Sequence, residues 1–244
     1  MDNNEKQLAP GAKKNNSEKD IKSPKGRSVT GKPLDAINVN PQDPKTSNLE
    51  ESENSTAVMA FGRYNPPTVG HEKLINKVKS TADEHSGSAH IFASHSENTS
   101  KDPLPQSKKI GYLKKVAGKG TEVHGSSKSE PTIFHAASKL HAAGNKHLVI
   151  VAGSDRINEY KDKLEKYNGK EGKHGFFNFD SIKFVSAGER DPDAEGAEGM
   201  SGTKMREHAK NNDFKSFRKG VPKHVSDTHA KELMHDVQKG MESK

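Results

Sequence analysis

Ala57–Val78 reads AVMAFGRYNPPTVGHEKLINKV. Val58, Met59, Ala60 and Phe61 form a continuous apolar run, the pattern of a short buried strand, and Gly62 stops it. Asn65-Pro66-Pro67 then forces a stiff extended turn, because proline fixes its own φ and restricts the residue before it. Thr68 follows as a helix N-cap, and Leu74, Ile75 and Val78 give the new helix one apolar side. Strand, glycine-containing turn and helix start together point free backbone N–H groups at an anion. His71 falls at the third position after the cap, where a capping box would place Glu or Gln. A carboxylate there would support the helix but repel a phosphate, whereas an imidazole can donate to one.

The run GRYNPPTVGH, with Thr68-Val69-Gly70-His71 at its end, resembles the H/T-x-G-H signature of the nucleotidylyltransferase superfamily. Ser201-Gly202-Thr203-Lys204-Met205-Arg206 resembles that family's C-terminal S-x-T-x-x-R pattern. The resemblance covers roughly 57–222 and leaves both ends uncovered. It is nearest to nicotinamide-mononucleotide adenylyltransferase-like proteins of tailed bacteriophages, which implies the host cytoplasm or the virion as location.

Bulk properties bound the reading. At 244 residues the chain allows one or two domains. A hydrophobic content of 29% and an aromatic content of 5% describe a modest core with polar appendages. Cysteine is absent, which excludes disulfides, thiolate catalysis and Cys-based zinc sites. No apolar run approaches a membrane span and the start of the chain lacks a signal-peptide core, so a soluble protein and no membrane partner are expected. Net charge is +7, and it arises after Thr56, because acidic and basic residues cancel before it. The lysines are scattered with few aromatics between them, a solvated surface rather than a nucleic-acid track, so nucleic acid is not expected as a specific ligand.

Residues 1–56 are rich in Asn, Lys, Ser, Pro and acidic residues, and are expected to form a disordered arm. Its one apolar island, Leu34, Ile37 and Val39, would suit a groove on a protein partner. Beyond the first strand and helix, strands are expected at His90–Ser94, Glu122–His124, His147–Ala152 and Ile182–Val185. Helices are expected over Gln106–Ala117, from Pro131 with Ile133, Phe134, Ala137 and Leu140 inward, and after Gly153-Ser154-Asp155. A Gly/Asp/Glu-rich loop, Gly188–Gly199, reads as a mobile segment, and helices occupy most of Ser201–Lys239. Alternation of strand and helix predicts an α/β fold: a five-stranded parallel Rossmann-like sheet with helices on both faces. The division is 1–56 arm, 57–222 nucleotidylyltransferase-like domain and 223–244 helical extension. Family resemblance implies that the first strand is central and lies beside the fourth.

The resemblance implies attack by a phosphate-bearing acceptor on the α-phosphate of a nucleoside triphosphate, ATP favoured, with Mg2+ arriving on the triphosphate. His71, Thr68 and Arg206 would be the catalytic set. Gly62, Arg63, Tyr64, Asn65, Gly153, Asp155, Ser201, Thr203 and Lys204 would bind the nucleotide, and Lys101 in KDPLP would face the acceptor. Several have a plainer reading: His71 as a surface histidine, Ser201 and Thr203 as caps, Arg206 and Lys101 as solvated cations. Ser154 or Asp155 could equally cap a helix. The remaining histidines show no metal-binding spacing, and neither G-x-x-x-x-G-K-[ST] nor G-x-G-x-x-G occurs. The rival to an enzyme is a phage structural or binding protein on the same fold, its arm used for assembly.

Overall fold

The computed structural model describes residues 55–188 and 199–242, all within one compact unit, Asn48–Lys244. Most of the arm, its apolar island and nearly all of the acidic loop 188–199 lie outside the described residues.

Five strands, β1 (Thr56–Gly62), β2 (Ser88–Ala93), β3 (Glu122–Gly125), β4 (His147–Ala152) and β5 (Ser181–Ser186), form one sheet in the order β3-β2-β1-β4-β5. Every neighbouring pair is parallel, with Met59 flanked by His90 on one side and Ile150 on the other. Helices α1 (Val69–Glu84), α2 (Gln106–Ala117), α3 (Ile133–Ala142) and α4 (Ser154–Tyr167) make the crossovers. Helices α5 (Gly202–Lys210), α6 (Phe214–Lys219) and α7 (Asp227–Glu242) follow.

Both faces of the sheet are covered, which is why β1 and β4 read as unbroken apolar runs. On one face Val58, Ala60 and Ile91 pack with Ile75, Val78 and Leu113 and with Met205, Phe217, Leu233 and Val237 of the last three helices. On the other, Ala57, Met59, Leu148 and Ile150 pack with Ala137 and Leu140 of α3 and Leu164 of α4. This is a Rossmann-like α/β fold, and its chain path reverses between β1 and β4. In open α/β sheets that reversal opens a crevice at the carboxyl ends of the strands.

Local details depart from the sequence reading. Pro131 precedes the cap of α3, which is Thr132, instead of lying in the first turn. Gly153 is the N-cap of α4, so neither Ser154 nor Asp155 caps it. Asp155 sits in the first turn, where its charge opposes the helix dipole favourably. The expected C-terminal helical extension is present as α7, and it packs on the sheet: Ala230, Leu233, Met234 and Val237 are buried in the main core, and Tyr112 Oη donates to Asp236 at 2.6 Å.

Candidate functional site

Gly62 ends β1 and allows the chain to fold sharply back. A Cβ there would lie 3.0 Å from the Tyr64 ring, and Tyr64 itself is left-handed (φ 49°) and buried. Tyr64 in turn meets the His71 ring edge-on, centroids 4.8 Å apart. Asn65 follows, joined to Pro66 by a cis peptide. Its buried side chain binds the backbone of Leu104 both ways: Nδ2 donates to the Leu104 carbonyl at 3.1 Å, and the Leu104 N–H donates to Oδ1 at 2.9 Å. The β1–α1 turn is thereby locked to the KDPLP loop.

Thr68 caps α1 as expected, and the helix start completes a capping box with an unusual partner. His71 Nδ1 accepts the backbone N–H of Thr68 at 3.0 Å and lies 3.1 Å from Thr68 Oγ1. An imidazole that accepts at Nδ1 carries its proton on Nε2, so the nitrogen outside the box is the donor. The backbone donors of this helix start are less free than the sequence implies. The Val69 N–H donates to the Gly220 carbonyl at 2.9 Å.

The second signature meets the first. Ser201 caps α5, its Oγ accepting the Lys204 N–H at 3.2 Å. Thr203 is not a cap: its Oγ1 accepts from Arg206 Nη2 at 3.0 Å. Arg206 Nη1 donates to the Asn65 carbonyl at 2.8 Å, and Gly202 leaves room for this approach, since a Cβ would sit 3.3 Å from Nη1. Burial draws the Arg206 pKa below its usual value, Asp102 opposes that change and Arg63 adds to it. A guanidinium has five N–H donors, so these two bonds leave others for an anion. Arg63 is exposed beside the turn.

Gly153 and Asp155 stand at the carboxyl end of β4, across the β1–β4 step. The Ser154 N–H donates to the Gly188 carbonyl at 3.3 Å, toward the chain leaving β5 and not toward His71. A Cβ on Gly153 would lie 2.6 Å from Asp155 Oδ1, so only glycine lets that carboxylate fold back. Lys101 is exposed, and its backbone N–H donates to Asn98 Oδ1 at 2.6 Å.

Two residues absent from the sequence reading organise this corner. Lys109 is 0% exposed, its Nζ donating to the Ser94 carbonyl at 2.5 Å. Burial pulls its pKa down to about 8, against the attraction of Asp102 and Glu97. Asp102 is buried, and its charge acts on both Lys109 and Arg206. A signal for Lys109 existed: it lies on the helical stripe of Tyr112, Leu113 and Val116, where an apolar residue would be routine.

No protein-family model matches the chain, and no curated protein sequence matches it. Among solved structures it is similar to a macrolide-efflux protein from Streptococcus pneumoniae, with 16% identity and a TM-score of 0.42 over 69% of this chain and 56% of that one. It is also similar to Thermotoga maritima TmcAL bound with alpha-thio ATP, with 14% identity and a TM-score of 0.46 over 76% of this chain and 57% of that one. The chain thus spans a little over half the length of each, and neither likeness carries an argument about chemistry. Among the described residues, no helix is long and apolar enough to cross a membrane.

Proposed function

We propose that the protein is a nucleotidylyltransferase that transfers an adenylyl group from ATP to a phosphate-bearing acceptor. The observation that carries this is the bond from Arg206 to the Asn65 carbonyl, which ties the two signature segments into one corner at the carboxyl end of β1. An acceptor phosphate oxygen forms a bond to the α-phosphorus as the bridging oxygen to the β-phosphorus departs, releasing pyrophosphate. Such transfers demand alignment and charge stabilisation rather than covalent participation by the protein.

His71 donates from Nε2 to an α-phosphate oxygen, its ring held by the Thr68 backbone and by Tyr64. Arg206, with Ser201, Thr203 and Lys204 at the start of α5, takes the outgoing pyrophosphate, and Arg63 adds charge from the exposed side. Gly62 lets the backbone approach the nucleotide, Gly153 and Asp155 take its ribose and base side, and Lys101 faces the acceptor. Magnesium enters on the triphosphate as part of the substrate. The segment 1–56, through Leu34, Ile37 and Val39, is assigned to a protein partner, so its removal should leave nucleotide binding unchanged.

The Val69 to Gly220 bond favours a second reading, in which a protein of this fold has given up turnover for a binding or virion role. The test incubates the full chain with labelled ATP or CTP, magnesium and a panel of monophosphates, and measures pyrophosphate. Turnover should fall about 100- to 1,000-fold in His71→Ala and Arg206→Ala, as for loss of one preorganised donor. Absence of affinity for either triphosphate at millimolar concentration would sink the proposal. Affinity without turnover would select the second reading.

A further inference from the structure

β2 and β3 bring together a second group of side chains that the nucleotide chemistry does not use. His90 stands directly across from Glu122 in the parallel register, and Phe92 across from His124. All four occupy the sheet face that holds Met59. His90 Nδ1 lies 3.1 Å from His124 Nε2, and Glu122 Oε2 lies 3.7 Å from each of those nitrogens. From this geometry we infer that His90, Glu122 and His124 form a binding site for a divalent transition-metal ion of the zinc class. This departs from the sequence reading, which saw no metal-binding spacing among the histidines.

The two imidazole nitrogens, 3.1 Å apart, are within hydrogen-bond range of each other, so it is the carboxylate that distinguishes a metal site from a hydrogen-bonded pair. At 3.7 Å the carboxylate oxygen is beyond hydrogen-bond reach of both imidazoles, so hydrogen bonding gives no reason for it to stand between them. Ligands about 2.05 Å from a tetrahedral ion are roughly 3.3–3.4 Å apart, so the site closes if Glu122 moves in by about 0.3 Å and the two imidazole nitrogens, 3.1 Å apart, open by about 0.2–0.3 Å. The Glu122 side chain is 65% exposed and free to make that movement, while His90 is fixed at 7%.

The surroundings are those of a ligand set. Ser88 Oγ lies 2.7 Å from His90 Nε2, an outer contact that can accept the proton Nε2 carries when Nδ1 serves as a ligand. His124 is stacked on Phe92, centroids 4.5 Å apart and planes 18° from parallel, so its ring is oriented without help from an ion. The cation Lys139, on the neighbouring helix, is paired with Glu130. Two imidazoles and one carboxylate select zinc, cobalt, nickel or copper over magnesium, which prefers oxygen ligands. Three protein ligands leave a position open on the exposed side. β3 is the edge strand and only four residues long, and the ion would clamp it to β2.

The test strips the full chain with chelator and titrates it with Zn2+ by calorimetry and with Co2+ by visible absorption, which strengthens on leaving octahedral water for a low-coordinate site. The expected result is a one-to-one site absent from His124→Ala and from Glu122→Gln, with Ser88→Ala weakened about 10- to 100-fold. Circular dichroism confirms that each variant is folded. If His124→Ala does not fold, Glu122→Gln decides alone, because that residue is largely exposed. Equal Zn2+ affinity in wild type and the ligand variants, or no one-to-one site in wild type, overturns the inference. Millimolar magnesium should leave the titration unchanged, so failure of the nucleotide assay would not bear on it.

Discussion

Replacing Lys109 with methionine should remove a rise in stability that the wild-type protein shows between about pH 8 and pH 10. Lys109 is fully buried, and its pKa falls from 10.5 to about 8, chiefly through desolvation. The folded state therefore releases this proton before the unfolded state does. Between the two values the unfolded chain binds more protons, and stability increases with pH. At about 1.36 kcal/mol per pH unit, the whole interval corresponds to about 3 kcal/mol, of which about 2–3 kcal/mol falls below pH 10. The upper limit matters because Tyr112 is held above its ordinary value of 10, by burial first and then by its bond to Asp236. Ionisation of the unfolded tyrosine therefore lowers stability above that pH. The chain has no tryptophan, so urea unfolding followed by far-ultraviolet circular dichroism is the suitable assay. Lys109→Met also strips the Ser94 carbonyl of a donor, so the two curves will be offset. The slope of their difference is the readout. Parallel profiles from pH 7 to pH 10 would show that Lys109 is solvated in the folded state and that the reasoning is wrong.

His71→Glu supplies the usual capping-box residue and places a negative charge near a helix N-terminus. It should raise the melting temperature by the equivalent of about 0.3–1 kcal/mol while abolishing triphosphate binding in the same preparation. Asn65→Ala leaves the buried N–H and carbonyl of Leu104 without partners, and a loss of about 2–4 kcal/mol is expected by chemical denaturation. Gly220→Ala puts a Cβ 2.2 Å from Met205 Sδ and 2.3 Å from Met200 Cγ. Overpacking of about 1–3 kcal/mol should follow, and an unchanged melting temperature would show that the methionines give way freely.

Much of the fold was legible because its signals are local. β4 was readable to the residue, since HLVIVA is bounded by a lysine and a glycine, and α2 was readable at both ends. The position of β1 beside β4 came from family resemblance, because periodicity carries no information about strand order. Within the site, the signature residues were legible as types, but their contacts were not. Thr203 reads as a cap from its neighbours, yet it accepts from Arg206 because the guanidinium reaches across to Asn65. His71 reads as a phosphate donor, yet one of its nitrogens is taken by its own helix start. The Gly220 carbonyl reaches α1 from far along the chain, and no local pattern could announce it. The same holds for the His90 cluster, whose members are unremarkable in sequence and adjacent only through the β2–β3 register.

The bond between Arg206 and the Asn65 carbonyl spans 141 residues, and the Tyr112–Asp236 bond spans 124. Closing such long loops carries an entropic cost before any contact is gained, and topologies of this kind fold slowly. During synthesis β1, the centre of the sheet, must wait for β4, and the corner at its carboxyl end must wait for α5. Until then β1 is paired along one edge only, with β2. Incomplete chains would thus leave one edge of this apolar strand unpaired and lack the corner at its carboxyl end. Any ligand of that corner would meet only the finished fold, so, under the proposed function, nucleotide should slow unfolding without speeding the early steps of folding.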